Sequence, residues 1–256
     1  MLSRILSFGL ILGVQFTAPL IAVAAELAEI QERGRLIVAV KDNWRPLGFR
    51  NTDGELTGLE IDLARRLAEE LLGDPEAIVL KPVSNLERLS IVLEGRADLA
   101  IAGVTATGAR SRLVSFSIPY YLDSTAILTR DRNIRQLADI GAQPIAVLEG
   151  SSAIAHLRHQ FPTVNLIGVS SYEAARVALE NHQAVAFAGD VTILTGWIQE
   201  YSDYHLLPTL LSVEPLAVVV PKGVQYSPLR RRINAAIAHW IEDGWLEERT
   251  THWGLP

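Results

Sequence analysis

Two threonines and an arginine lie close together in the small-residue segment Gly103-Val-Thr-Ala-Thr-Gly-Ala-Arg110. Small residues let a backbone approach a ligand closely. Thr105 and Thr107 offer hydroxyls and backbone N–H groups, and the Arg110 guanidinium is a planar fork matched to a carboxylate. The segment follows the apolar run Leu99-Ala-Ile-Ala102, and binding sites in open α/β sheets lie outside the carboxyl ends of strands. Taken alone, Arg110 could as well pair with a structural aspartate. No catalytic template accompanies it: the sequence has no G-x-S-x-G elbow, no H-E-x-x-H and no G-x-x-x-x-G-K-[ST] loop. His156 and His159 stand on a helical stretch without a carboxylate cluster, so they read as a solvated helix face rather than a metal site. The chain contains no cysteine, which removes disulfides, thiolate zinc sites, iron–sulfur clusters and thiol nucleophiles. A net charge of −6 argues against nucleic acid as a partner. The expectation is a binding protein without catalytic residues, metal or cofactor.

The elements that must position these residues are legible as short apolar runs. Leu36-Ile-Val-Ala-Val40, Leu99-Ala-Ile-Ala102, Ile145-Ala-Val-Leu148, Ala184-Val-Ala-Phe-Ala188 and Leu216-Ala-Val-Val-Val220 read as buried strands of parallel sheets. Between them lie helical patterns. Leu59, Leu63, Leu67 and Leu71 share one face, with Glu60, Arg65, Arg66, Glu69 and Glu70 outside it, and Gly73 and Pro75 end the helix. Ser171 opens a second helix, and a third starts at Pro228 and runs through Trp240. Alternating strands and helices mean βαβ units and an α/β fold. One βαβαβ pattern covers about 35–121 and another about 124–212, and the strand and helix from Leu216 onward have no partner of their own. They are expected to return to the first unit. At 256 residues the chain accommodates two such lobes with a cleft between them.

Residues 1–25 differ from the rest. Arg4 is the only charge before Glu26, Ile5 to Val23 is largely apolar, and Ala22-Val23-Ala24 supplies small residues for cleavage near Ala24 or Ala25. The expectation is a signal peptide over 1–25; the alternative is an uncleaved anchor. No cysteine follows it, so a lipoprotein is not expected, and no later segment is apolar enough to span a membrane.

A set of landmarks then resembles the family 3 periplasmic solute-binding proteins, the polar amino-acid receptors of ABC importers. They are Gly34-Arg-Leu-Ile-Val-Ala-Val40, Trp44-Arg-Pro-Leu-Gly-Phe49, Gly54-Glu-Leu-Thr-Gly-Leu-Glu-Ile-Asp-Leu63, Leu93-Glu-Gly-Arg-Ala-Asp98, the threonine–arginine loop and Phe116-Ser-Ile-Pro-Tyr-Tyr121. Val147-Leu-Glu-Gly-Ser-Ser152, Phe187-Ala-Gly-Asp190, Pro221-Lys222 and Asp243-Gly244 follow in order. The resemblance implies a two-lobed type II periplasmic-binding-protein fold, with lobe 1 over 26–122 plus 214–256 and lobe 2 over 123–213. It implies a periplasmic monomer that takes up a small amino acid and delivers it to a permease and ATPase on separate chains. Position by position, Arg110 and the Thr105 N–H would clamp the ligand α-carboxylate, with Ser151 and Ser152 reaching it from a helix start. Asp190, the Gly103 carbonyl and the Thr105 hydroxyl would hold the α-ammonium, and Trp44 would wall the ligand side chain. Plainer roles stay open: Asp190 and the serines as helix caps, Trp44 as core.

The chain departs from the family pattern at Val185, where Asp is usual, and at His182, where Gly is usual. Before Pro46, relatives that bind cationic amino acids or glutamine have Asp, and acidic amino-acid binders have Arg; here the residue is Lys41. Lys41, Arg45 and Arg110 gathered at one cleft would offset two carboxylates and repel a cationic ligand. Acidic amino acids are therefore expected ahead of neutral polar ones. The alternative is that Lys41 faces solvent and Asp42 faces the ligand. A periplasmic cyclohexadienyl dehydratase-like enzyme, with Glu149 as the one candidate acid, and a sensing receptor without transport are the rival readings.

Overall fold

The computed structural model describes residues 24–255. The expected leader lies mostly outside them. Of its two residues within them, Ala24 is buried, and its carbonyl accepts a 3.0 Å hydrogen bond from the Tyr226 hydroxyl.

After helix α1 (Leu27–Arg33), the first lobe runs β1 (Leu36–Val40), β2 (Asn43–Trp44), β3 (Gly48–Arg50), β4 (Leu56–Thr57), α2 (Leu59–Leu72), β5 (Ile78–Pro82), α3 (Glu87–Leu93), β6 (Leu99–Ile101) and β7 (Ser115–Asp123). The second follows with β8 (Thr125–Thr129), β9 (Ile145–Leu148), α4 (Ala153–Gln160), β10 (Leu166–Val169), α5 (Tyr172–Glu180), β11 (Ala186–Asp190), α6 (Val191–Glu200) and β12 (His205–Leu206). The chain then returns through β13 (Glu214–Val220), α7 (Ser227–Glu242) and α8 (Trp245–His252).

Two five-stranded sheets result, in the orders β5-β1-β6-β13-β7 and β10-β9-β11-β8-β12, with a small β2-β3-β4 meander beside the first. In each sheet three parallel strands are followed by an antiparallel one, β13 in the first and β8 in the second. The strand and helix that had no partner in sequence thus complete the first sheet. The two crossings lie side by side, because Glu214 at the start of β13 pairs in register with Asp123 at the end of β7. The fold is two-lobed α/β, and the largest of three clusters of buried apolar residues spans both sheets, with Leu36 and Leu99 of the first and Leu148 and Phe187 of the second.

Local chemistry accounts for the helix limits. The Ser171 hydroxyl caps α5 by accepting from the Ala174 N–H at 3.0 Å. Helix α2 stops at Gly73 in the left-handed conformation. Its start is tied to the meander, where the Leu59 and Glu60 amides donate to the Pro46 and Leu47 carbonyls at 3.1 and 2.8 Å.

Two expectations need correction. Glu60 does not lie outside α2: it is fully buried, because the first turn of the helix is overlaid by the Gly103 loop and Tyr120. The strand expected over 184–188 begins at Ala186 and extends to Asp190. Residues 181–185 are taken up by a turn in which His182 has φ +55. That left-handed value suits a glycine, the residue that the resemblance leads one to expect at this position.

Candidate functional site

The carboxyl ends of β6 and β11 face each other across a small cavity. Asn85, Arg88, Gly103, Thr105 and, from the second lobe, Ser151, Ser152, Tyr172, Phe187 and Asp190 line it. It encloses about 10 Å³, room for about one water molecule. The lobes are in contact around it. Thr105 Oγ1 and Ser152 Oγ are 3.3 Å apart, and Arg110 Nη2 donates to the Gly150 carbonyl at 3.0 Å.

The wall from the first lobe is built on Gly103. Its φ is +60, and a Cβ there would stand 2.3 Å from Trp44 Cζ3, so only glycine lets the loop lie on the indole. Behind it, Glu60 Oε1 accepts from the Gly103 N–H at 2.7 Å and from the Tyr120 hydroxyl at 2.5 Å, while Oε2 has no partner. Burial pushes the Glu60 carboxyl above its usual range, and those hydrogen bonds and the charges of Arg88 and Lys41 pull it back.

Arg88 is the residue that sequence reasoning missed. It is buried at the second position of α3, and Nη1 donates to the Ala102 and Gly103 carbonyls at 3.1 and 2.6 Å. No carboxylate pairs with it among the described residues. Arg110 is held by its own loop: Nη1 donates to the Thr105 carbonyl at 3.0 Å, and the Thr107 hydroxyl accepts from the Arg110 N–H at 3.2 Å. Burial, then the neighbouring charge of Arg88, lowers the Arg110 pKa to about 10. Two guanidinium groups near enough to depress one of them make a site that attracts anions.

From the second lobe, Asp190 stands at the start of α6 without capping it, and its Oδ1 is buried with no partner. Burial, then the charge of Asp123, raises its carboxyl well above the usual range, with Arg88 opposing. The Ser151 hydroxyl accepts from the Ala153 N–H at 3.0 Å, whereas Ser152 leaves the α4 start uncapped and meets Thr105 instead. The amides of Thr105 and Ser152 carry no hydrogen bond among the described residues.

Of the residues singled out from sequence, Gly103, Thr105, Ser151, Ser152 and Asp190 line the cavity, and Arg110 abuts it. Trp44 does not line it. The indole lies buried beneath Gly103, Nε1 donates across the lobes to Thr192 Oγ1 at 3.2 Å, and its edge packs on Tyr172. The aromatic lining comes from Tyr172 and Phe187. Lys41 does not line it either. It is buried, Nζ donates to the Val83 carbonyl at 3.0 Å, and burial followed by the charge of Arg88 lowers its pKa to about 8. Arg45 turns outward to lie 4.0 Å over the Phe49 ring, and Asp42 pairs with Arg50 at 3.4 Å. Neither joins the site. Glu149 is exposed and packs beside Gly168, away from the lining residues. His156, read as solvated, instead contacts the buried Glu214 at 2.8 Å, because α4 packs over the crossing.

Asn85 shares the lining with Arg88, and its Oδ1 is buried without a partner. Asn85 precedes α3 and Arg88 stands in its first turn. No local signal separates them; the contact of Arg88 with carbonyls 14 and 15 residues later does.

Residues 36–256 match the model of the bacterial extracellular solute-binding proteins, family 3. The chain is 28% identical to the ABC transporter glutamine-binding protein GlnH of Bacillus subtilis over 89% of its length and 84% of the relative's. It is 31% identical to a glutamine-binding protein of Geobacillus stearothermophilus, over 75% of this chain and 74% of the other. The solute receptor for L-cysteine of Neisseria gonorrhoeae superposes with a TM-score of 0.83 at 27% identity, covering 89% of this chain and 93% of that one. Among the described residues no helix is long and apolar enough to cross a membrane.

Proposed function

Because the chain belongs to the family 3 bacterial extracellular solute-binding proteins, we propose that it is the amino-acid receptor of an ABC importer, with acidic amino acids preferred over neutral polar ones. The observation that carries this reading is the charge set at the cavity: two guanidinium groups, Arg88 and Arg110, and one carboxylate, Asp190. Glutamate and aspartate present the complement, two carboxylates and one ammonium. Arg110 and the amides of Thr105 and Ser152 receive the α-carboxylate, while the Ser151 amide donates to the Leu148 carbonyl at 3.1 Å. Asp190, with the Thr105 hydroxyl and the Gly103 carbonyl, receives the α-ammonium. Arg88 receives the side-chain carboxylate, and Lys41 adds positive field from behind it. Trp44 supports Gly103 from below and binds the second lobe rather than the ligand.

The cavity is too small for an amino acid, so the lobes must part to admit one. Lobe 1, over 26–122 and 214–256, carries Arg88 and Arg110; lobe 2, over 123–213, swings about the paired crossings at Asp123 and Glu214. Ligand selects the closed form because only that form presents both walls to it. A permease and ATPase on separate chains would then receive the loaded, monomeric receptor in the periplasm. Transport rather than catalysis is the reading favoured by the curated relatives, which are named as binding proteins of amino acids.

Thermal shift over the twenty amino acids tests the reading, because a ligand that binds the native state raises its Tm by mass action. L-Glutamate and L-aspartate should give the largest rise, glutamine a smaller one, and arginine none. A response to arginine without one to glutamate would overturn the acidic preference.

A further inference from the structure

Where the crossings run together, a carboxylate is held in an unusual way. Glu214 is fully buried, and its Oε1 faces three donors: His156 Nε2 at 2.8 Å, Ser212 Oγ at 2.8 Å and Thr125 Oγ1 at 3.3 Å. Oε2 is buried with no partner. The other charges that face Glu214 are Asp123, its partner across the β7–β13 pair, with Asp190 and Arg110 on the cavity side. Three buried carboxylates therefore sit near two guanidinium groups, Arg88 and Arg110, and both are already turned to backbone carbonyls. His156 Nε2 is the donor that α4 brings to this cluster.

Glu214 begins a strand of the first sheet, whereas His156 belongs to α4, a helix of the second lobe. Helix α4 starts at Ser152, so the element that carries His156 also places Ser151 and Ser152 at the cavity. We propose that His156 is a positioning residue for ligand capture, its imidazole clamping Glu214 at the crossing and so holding α4 with its amide end toward the ligand. This rests on the receptor reading above. Opening the cleft moves α4 relative to β13 and stretches the contact; closing restores it.

The test is calorimetric titration of the full chain with L-glutamate for wild type, His156→Ala and His156→Gln, with melting curves to confirm folding. His156→Ala should lose about tenfold in affinity, and His156→Gln, whose side-chain amide can donate to the same carboxylate, should recover most of it. Wild-type affinity in His156→Ala, or no recovery in a folded His156→Gln, would overturn the proposal. A second measurement stands apart from ligand identity: the His156 ring resonances of the unliganded chain are compared by NMR at one pH in wild type and Glu214→Gln. Loss of the carboxylate should shift them, and unchanged ring resonances would reject the clamp. If no amino acid binds the wild type while those resonances move, the receptor reading fails and the clamp survives.

Discussion

The two walls of the cleft are held in opposite ways. On the first lobe, Gly103 is fastened by Glu60 behind it and by the guanidinium of Arg88 beside it, with Trp44 directly beneath. That wall is fixed in place before any ligand arrives: Gly103 and both guanidinium groups already have partners, Asn85 Oδ1, Glu60 Oε2 and the Thr105 amide do not, and the charge it presents is positive. On the second lobe, Asp190 has a buried oxygen with no partner, and Ser152 leaves a helix start uncapped. That wall is incomplete, and an ammonium and a carboxylate would complete it. The difference assigns distinct tasks. A rigid cationic wall can dock an anionic ligand first, and an unsatisfied wall gains by closing over it, because buried polar groups without partners are costly.

The sharpest way to break this contrast is Asp190→Asn. An incomplete wall should bind worse yet fold better once its orphaned carboxylate is gone. The expected result is a loss of affinity of about 100-fold by calorimetry, with a higher Tm for the unliganded chain. A variant that lost both affinity and stability would make Asp190 part of the scaffold. Glu60→Gln probes the other wall and should act in the reverse sense. Its new amide places two donors where Glu60 had an unpartnered oxygen, so stability should fall by about 2 kcal/mol in denaturant titration. Affinity should drop less than in Asp190→Asn.

The smallest effect concerns the join between the walls. Burial raises the Asp123 pKa from 3.8 to about 6. The folded chain therefore holds this proton more tightly than the unfolded one between those values, and lowering pH through that window favours the fold. The unliganded Tm should rise relative to Asp123→Asn as pH falls from 7 to 5, and parallel curves would remove Asp123 from the account.

Much of the architecture was readable because it rests on local patterns. The runs at Leu36, Leu99, Ile145 and Leu216 all became sheet strands, since a strand buried on both faces is apolar throughout. The Gly103–Arg110 loop was readable because small residues after a buried strand have few other uses. The charges behind it were not. Glu60 sits one position from a leucine stripe, and helical periodicity places it on the solvent side; only the overlying loop, 43 residues away in sequence, buries it. Arg88 is hidden for the same reason, and Lys41 misled because a residue at the end of β1 can turn either into the cleft or behind it. Here it turns behind, to the Val83 carbonyl. His156 and Glu214 lie far apart in the chain, and their pairing follows from α4 packing against the returning strand.

One feature of the topology reaches further. Glu214 lies directly beside Asp123, so everything between them leaves the first sheet and re-enters it at a single place. The second lobe is thus a cassette inserted into a host that already has its own sheet and both of its flanking termini. Exchanging that cassette between related receptors at these two residues would graft a new Asp190 wall onto an intact Arg88–Arg110 wall, without cutting a strand in either sheet.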